Sequence, residues 1–382
     1  MAKKKETRNA HGSGTIRQRP DGRWEARYVA GHDPGTGKPD RKSIYGSTQQ
    51  EVRKQLNAIT VSIDNGEYKE PSKLTVKDWL EIWIKDYILN LKPLTLKSYN
   101  TQINNHIIPA LGKVKLCKLA PHHIQKFYNG LNDKYSAKTI KNIHGVLHKG
   151  LKQAVDLGYI KTNPTEACKL PKVVKTQITP MDKDIIPVFL EAIKGHQFEK
   201  IYTMDLFTGL RQSEAIGLTW DCVDFDAGTI FVYRQYQKLK GGYQWATLKN
   251  GKTRLIKPAN FVMDILKAEK IKQAENRLRA GSAWENPENF IFTNPLGTHI
   301  KHETLSKNYK KIVVMMGLPD LRFHDMRHTF AVISLQAGDD IKTVQENLGH
   351  HSAAFTMDTY AHVTDAMRKA SSERMDSFIK NL

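Results

Sequence analysis

The chain has 382 residues, of which 40% are hydrophobic, so it is long enough for two or three domains with buried cores. It carries 59 Lys and Arg against 39 Asp and Glu, which gives a net charge of +20 and a pI near 9.6. This charge indicates a polyanionic partner such as nucleic acid, because each Lys or Arg that faces a phosphate releases a condensed counterion.

Other features of the sequence disfavour several classes of protein. The three cysteines, Cys117, Cys168 and Cys222, are far apart and form no CxxC motif, which argues against a disulfide framework or a zinc ribbon. No apolar segment of a signal peptide follows the basic N-terminus, and no apolar run approaches the length of a membrane span. We therefore expect a cytoplasmic protein without a membrane partner.

The first predicted unit is a small sheet backed by a helix. Residues 12–46 predict three strands, and residues 47–59 predict a helix with Ser47 as its N-cap. Alternation in the second strand gathers an apolar set on one face: Trp24, Ala26 and Tyr28. The open face carries the residues that we expect to contact DNA: Arg17, Arg19, Arg23 and Arg27. A sheet of this size can lie in a major groove, although a solvated face is the alternative.

A polar linker at residues 64–73 separates this sheet from a helical segment. Four helices are predicted after it, the first with Thr75 as N-cap and Asp78 at the third position. Lysines recur at helical spacing on the last helix: Lys138, Lys141, Lys149 and Lys152. The first two are our candidates for contacts to a phosphate backbone, and a solvated lysine face is the competing interpretation.

Beyond a second basic linker that ends near residue 180, predicted helices and strands mix. Residues 224–239, 242–249 and 252–258 predict a small antiparallel sheet, with Asn250-Gly251 as a hairpin turn. Lys249 stands directly before this turn, where its side chain can reach outward from the hairpin tip. The fold class is therefore a multidomain α+β chain: a small sheet with a helix, an all-α domain, and a mixed, mainly α domain with a small antiparallel sheet.

Metal, ATP-dependent and hydrolase chemistry all fit the sequence poorly. His144 and His148 have the spacing of a zinc pair, but Gly145 stands where an HExxH motif requires glutamate, which favours an ordinary histidine pair on a helix face. The chain contains neither GxxxxGK[ST] nor GxSxG, so a Walker-type ATPase and a nucleophile elbow are both disfavoured.

A tyrosine that follows a series of His and Arg suits phosphoryl transfer without a metal. Tyrosine can attack a phosphodiester and become bound to the phosphate, although its ordinary pKa of about 10 calls for cationic surroundings. Two guanidinium groups can clamp the non-bridging oxygens, where charge develops. A histidine can accept a proton, and a lysine can protonate the leaving oxygen.

Five motifs in this order, TGLRQSE, the lysine before the turn, HDMRHTFA, LGH and DTYAHV, resemble the tyrosine recombinases, or phage-type integrases. The chain is most similar to integrases of conjugative transposons within that family. The resemblance implies three domains: an arm-type DNA-binding domain at 1–62, a helical core-binding domain at 74–166 and a catalytic domain at 175–382.

The resemblance also implies how the cationic residues act. Arg211 and Arg327 would hold the scissile phosphate, and Lys249 would protonate the 5′-hydroxyl leaving group. Lys252 also lies beside the turn and is an alternative to Lys249. Glu214, three residues after the first arginine, is expected to have a positioning role.

Tyr360 would be the nucleophile, and His324 would assist its proton transfer. The doubled histidine leaves a choice between His350 and His351 for the hydrogen bond to the phosphate. We favour His350, because Gly349 directly before it allows the backbone to turn sharply.

The implied activity is site-specific recombination that integrates or excises a mobile element through a 3′-phosphotyrosine. The covalent bond conserves the phosphodiester energy, so no cofactor or metal is expected. The implied partners are double-stranded DNA, four protomers in the synapse, and an excisionase or DNA-bending accessory protein in the bacterial cytoplasm. The C-terminal tail would pack on a neighbouring protomer or on its own domain. Two alternatives are a relaxing type IB-like topoisomerase and a DNA-binding regulator without catalysis.

Overall fold

The computed structural model describes residues 14–32, 35–65, 73–174, 180–349, 357, 372–373 and 375–381. The chain divides into two compact units, Met1–Val174 and Lys175–Leu382. Within the described ranges, every helix is too short or too polar to cross a membrane.

The first unit begins with an antiparallel sheet of three strands, β1 (Thr15–Gln18), β2 (Trp24–His32) and β3 (Pro39–Gly46), in the order β1-β2-β3. Helix α1 (Gln49–Asp64) packs against it. Ala26 and Tyr28 are buried with Val52 and Leu56 of the helix, as the alternation in β2 predicted. This core is separate from that of the helices that follow.

The N-cap of α1 is Thr48 and not the predicted Ser47. The Thr48 side chain accepts the backbone N–H of Glu51 at 3.2 Å. The N–H and hydroxyl of Ser47 instead donate to the Glu51 carboxylate, at 3.0 and 2.9 Å. The helix therefore begins one residue later than predicted, because Thr48 and not Ser47 accepts the free N–H of the first turn.

The described residues from 73 to 174 are mainly helical and contain α2 (Val76–Ile82), α3 (Pro93–Gln102), α4 (Ile108–Leu111), α5 (Pro121–Asn129) and α6 (Ala137–Asp156). Thr75 and Asp78 form the predicted capping box of α2. The Trp79 indole N–H donates to the Gly150 carbonyl at 2.9 Å and joins α2 to α6. Pro109 lies in the first turn of α4, and a π-helical turn at Ile103–Ile107 precedes it.

The second unit contains helices α7 to α13: α7 (Ile185–Ile193), α8 (Glu199–Thr208), α9 (Gln212–Ala215), α10 (Asn260–Ala280), α11 (His302–Met315), α12 (Asp325–Ala337) and α13 (Ile341–Leu348). Helices α8 and α12 pack against each other and are buried over most of their length. Residues 375–380 are helical and exposed.

Two small antiparallel sheets replace the single predicted one. β4 (Val223–Asp224), β5 (Thr229–Val232) and β8 (Arg254–Ile256) form one sheet, while β6 (Arg234–Leu239) and β7 (Gly242–Thr247) form the other. The turn at Asn250-Gly251 is present, but it connects strands of different sheets. The prediction that this turn closes a hairpin is wrong, because β8 pairs with β5 instead of β7.

Candidate active site

Arg211 follows a turn whose backbone conformation favours glycine at position 209. Gly209 has a φ of 61°, and a Cβ on it would lie 2.4 Å from Cδ1 of Phe330. Arg211 is the residue before α9, and its backbone N–H donates to Glu214 Oε2 at 3.0 Å. Its Nη1 donates to Glu214 Oε1 at 2.8 Å. The arginine is thus held through its backbone and its side chain by one carboxylate.

Glu214 is fully buried and also bonds a second arginine. Arg254 Nη2 donates to Glu214 Oε2 at 2.6 Å, and its Nη1 lies 3.3 Å from Oε1. Burial opposes ionisation of Glu214, but Arg254 and Arg211 overcome it and lower the pKa of this carboxyl to about 2. Glu214 is therefore ionised at neutral pH, which favours a role in positioning Arg211 over a role in proton transfer.

Arg327 lies on α12 and is 2% exposed. Its Nη1 donates to the Gly209 carbonyl at 2.7 Å, and its Nη2 donates to the Leu348 carbonyl. The two predicted phosphate-binding arginines are therefore joined through the turn that precedes Arg211.

His324 stands one helical turn before Arg327, at the exposed start of α12. Desolvation and the charges of Arg327 and Arg211 lower its pKa, against an opposing effect of Asp325. A lowered pKa keeps the imidazole neutral near pH 7, and a neutral imidazole can accept a proton. A neutral His324 is compatible with the predicted proton transfer, and this role stays a prediction.

The end of α13 brings these groups together. Asn347, Leu348 and Gly349 present three successive carbonyl oxygens there. Arg254 Nε donates to the Asn347 carbonyl at 2.8 Å, and Arg327 donates to the next one. Arg211 Nη2 donates to the Gly349 carbonyl at 3.1 Å. Each carbonyl thus accepts a different guanidinium group.

Lys249 is exposed in the turn between β7 and β8, directly before Asn250. The Asn250 side chain donates to the Gly349 carbonyl at 3.1 Å, the same oxygen that accepts Arg211. This shared acceptor places the turn beside the arginines, as the predicted role of Lys249 requires. Lys252 is exposed in the same connection, so the choice between the two lysines stays a prediction.

His350, His351 and Tyr360 lie outside the described residues. Gly349, directly before His350, has φ 61° and ψ 44°, a left-handed conformation that glycine adopts readily and that ends α13. The roles of both histidines and of the tyrosine stay predictions.

Sequence reasoning missed Arg254 and Asp205. Arg254 and Ile256 point inward from β8 while Leu255 is exposed, so an arginine on the buried side of an alternating strand was the available signal. Asp205 is 1% exposed on α8, and neither carboxylate oxygen has a hydrogen-bond partner within the described part of the chain. Burial raises the pKa of Asp205, although Arg327 opposes this effect.

The arginines on the N-terminal sheet form ion pairs on its open face. Arg17 and Arg27 donate to opposite oxygens of Glu25, at 2.7 and 3.1 Å. These contacts, that of Arg17 first, lower the pKa of Glu25 to about 2. Arg23 pairs with Asp21 at 2.7 Å. Arg19 lies 5.4 Å from the Tyr45 ring centroid. All four predicted arginines are thus presented with fixed partners, and their contact with DNA stays a prediction.

The predicted lysines of α6 are exposed. Lys138 and Lys141 lie near its N-terminus, and Lys149 further along donates to the Tyr99 hydroxyl at 2.9 Å. On the same helix, His144 Nδ1 lies 3.0 Å from the Tyr128 hydroxyl, and His148 Nδ1 lies 2.8 Å from the Thr165 hydroxyl. The histidine pair therefore has structural partners, while the DNA contacts of the lysines stay a prediction.

Comparisons with known proteins agree with this arrangement. Residues 183–367 match the Phage integrase family, and residues 75–132 match the phage integrase N-terminal SAM-like domain. A "Tyrosine recombinase XerC-like" protein of Caldanaerobacter subterraneus is 30% identical, and the match covers 90% of this chain and 93% of the relative. These matches show that the chain belongs to the phage integrase family of tyrosine recombinases. It is a site-specific tyrosine recombinase, as the ordered motifs predicted.

Solved structures share the fold. The integrase of transposon Tn1549, in complex with a circular intermediate DNA, matches with a TM-score of 0.68 and 21% identity, over 79% of this chain and 99% of that one. A lambda integrase tetramer bound to a Holliday junction matches with a TM-score of 0.56 and 19% identity, over 88% and 96% of the two chains.

Proposed function

We propose that the protein integrates and excises a mobile element by cutting and rejoining DNA strands through a 3′-phosphotyrosine at Tyr360. The observation that carries this proposal is the convergence of Arg211 and Arg327 on the carbonyls of Gly349 and Leu348, directly before His350. Two guanidinium groups that are held by the carbonyls of successive residues can bind the non-bridging oxygens of one phosphate, where the transition state gains charge.

In the proposed cleavage step, the Tyr360 oxygen attacks phosphorus and its proton passes to neutral His324. The bond from phosphorus to the 5′-oxygen breaks, and Lys249 supplies the proton that this oxygen needs. Arg211 and Arg327 stabilise the charge on the non-bridging oxygens, and His350 adds a hydrogen bond to one of them.

Rejoining reverses these proton movements. A 5′-hydroxyl of another duplex attacks the phosphotyrosine, gives its proton to Lys249, and the Tyr360 oxygen leaves with the proton held by His324. One phosphodiester is broken and one is made, so the energy of the bond is conserved.

Two further parts of the proposal concern DNA and assembly. The sheet at 1–62 would bind arm-type sites, while the helical domain would hold the core site with Lys138 and Lys141. The solved relatives support binding to DNA and assembly on it, since one is bound to circular intermediate DNA and another is a tetramer on a Holliday junction. We propose four protomers in the synapse, an excisionase or DNA-bending accessory protein, and action on DNA in the bacterial cytoplasm.

The experiment that tests the proposal is covalent trapping on a nicked DNA duplex that carries the recombination site. The wild-type protein should form an adduct that resists denaturation and releases a 5′-hydroxyl. Tyr360→Phe should bind the same DNA with similar affinity and form no adduct. An adduct in this variant would assign the nucleophile to another residue. Relaxation of supercoils by the monomer without strand exchange would favour the topoisomerase alternative.

A further inference from the structure

The last turn of α13 has an unusual set of hydrogen bonds. Carbonyl groups at the end of a helix have no partner within the helix. Here the carbonyls of Asn347, Leu348 and Gly349 each accept a guanidinium N–H, and the three donors come from β8, α12 and the turn before α9. The backbone before residue 350 is thereby tied to all three of these elements.

Arg254, like Arg211, binds both Glu214 and the end of α13, but it is the more buried of the two, with only 7% of its side chain exposed. Its Nε binds the Asn347 carbonyl at 2.8 Å, and its two terminal nitrogens face both oxygens of Glu214. The same two oxygens hold the backbone and the side chain of Arg211. One guanidinium group therefore links the end of α13 to the carboxylate that orients Arg211.

We propose that Arg254 is a positioning residue for strand cleavage, which fixes the Arg211 guanidinium relative to the backbone that leads into residue 350. The inference rests on the proposed role of Arg211 at the scissile phosphate. In this proposal Arg254 acts through Glu214 and the Asn347 carbonyl and not on the phosphate itself.

Lysine cannot take this place. The guanidinium group presents its donors in a planar fork, whereas a lysine ammonium is a compact charge at the end of a flexible chain. Arg254→Lys would preserve the positive charge near Glu214 but could not face two carboxylate oxygens and a carbonyl at once. Glu214 and the end of α13 would then shift independently. A displacement of about 1 Å at a reacting group can cost about 10²-fold in rate.

The first test compares Arg254→Lys with Arg234→Lys. Arg234 is a matched control because it is a partly buried arginine of the same unit, stacked 3.7 Å from the Trp245 ring centroid and outside the carbonyl contacts. Single-turnover cleavage of nicked DNA should fall about 10- to 100-fold in Arg254→Lys, while DNA affinity stays within about twofold. The control should cleave at the wild-type rate. Wild-type cleavage by Arg254→Lys would overturn the inference.

A double-mutant cycle then separates positioning from a general loss of structure. If Arg254 acts through Arg211, Arg254→Lys should slow an Arg211→Lys protein far less than it slows the wild type. Independent, multiplicative effects would overturn the inference. A normal cleavage rate in Arg211→Lys alone would overturn the proposed function. If Arg211→Lys is slow and Arg254→Lys is not, only the present inference fails.

A variant without the two buried charges serves as a control for misfolding. Arg254→Lys leaves Glu214 with fewer hydrogen bonds, so thermal unfolding is measured alongside cleavage. Glu214→Gln combined with Arg254→Met removes both buried charges and keeps similar side-chain volumes, a kind of exchange that buried ion pairs often tolerate. This folded protein should still cleave slowly, because Arg211 has lost its orientation. Recovery of the wild-type rate would contradict the inference.

Discussion

The Gly209 carbonyl accepts Arg327 Nη1 at 2.7 Å, so the turn that leads to Arg211 also holds the second arginine of the site. The left-handed conformation of Gly209 and the tight contact with Phe330 leave no room for a side chain there. The turn before Arg211 is thus hydrogen-bonded to an arginine that is distant in sequence.

Gly209→Ala should therefore lower both stability and cleavage. Gly228→Ala is a matched control, since Gly228 has a φ of 65° but no atom within 4 Å of the position that a Cβ would occupy. The control should lose only the conformational cost, about 1–2 kcal/mol. Gly209→Ala should lose clearly more, because its Cβ also clashes with Phe330. Chemical denaturation of both variants measures this difference, and equal losses would contradict it.

Arg327→Lys should slow cleavage by a factor of roughly 10²–10³, the scale for losing one preorganised donor in a transition state. The reason is that lysine cannot bind the phosphate and the carbonyls together. Arg279→Lys, at an exposed arginine paired with Glu275, should have no effect. Single-turnover rates on nicked DNA decide the matter, and an unchanged rate in Arg327→Lys would refute the clamp.

Substitutions can show whether His350 or His351 binds the phosphate. His350→Ala should reduce the cleavage rate by at least roughly tenfold, about 1.4 kcal/mol of transition-state stabilisation. His351→Ala should stay within a few-fold of the wild type. Gly349 with its left-handed backbone ends α13 directly before His350, which favours this ranking. The reverse order of rates would assign the phosphate contact to His351.

Removal of residues 1–62 should leave cleavage at core sites intact and abolish binding to a second class of DNA sites. The sheet and α1 have a core of their own, so the rest of the chain should remain folded. Gel-shift and cleavage assays with both kinds of DNA test this expectation. Full retention of all DNA binding by the truncated protein would exclude a separate DNA-binding domain at residues 1–62.

His328 should make the second unit sensitive to acid. Burial, followed by nearby His324 and Arg327, lowers its pKa to about 4 from an ordinary value of 6.5. Between these values the unfolded chain binds more protons than the folded one, so stability is lost as the pH falls from about 6.5 to about 4. The loss is at most about 3 kcal/mol. His328→Gln should show a smaller drop in unfolding free energy between pH 7 and pH 4.5, and an equal drop would disprove the assignment.

Local features of the sequence predicted the helices and much of the site. The capping box of Thr75 and Asp78 lies within a single turn, and His324 and Arg327 are close enough in sequence to share a helix face. Local chemistry also predicted the turn at Asn250-Gly251. The pairing of the strands around it was missed, because the partner of β8 is β5 and a turn does not encode that choice.

The contacts that organise the site were beyond the reach of sequence patterns. Arg254 and Glu214 are 40 residues apart and reveal their partnership only when both are buried. Backbone carbonyls are present at every residue, so nothing in the sequence distinguishes those of Asn347, Leu348 and Gly349 as acceptors. The motifs indicated candidate side chains, and the fold showed the carboxylate and the backbone carbonyls to which they are hydrogen-bonded.

Glu25 has a consequence for how the protein would search a chromosome. It lies between Arg17 and Arg27 on the open face of the N-terminal sheet and cancels part of their charge. A face with fewer net positive charges releases fewer counterions and stays bound to unrelated DNA for a shorter time. The two guanidinium groups are also held in place by Glu25, so the proposed binding of this face to DNA would lose less side-chain entropy at the correct site. For a sheet that binds DNA as proposed, rapid release from wrong sequences and a smaller ordering cost at the right one would together favour a fast search.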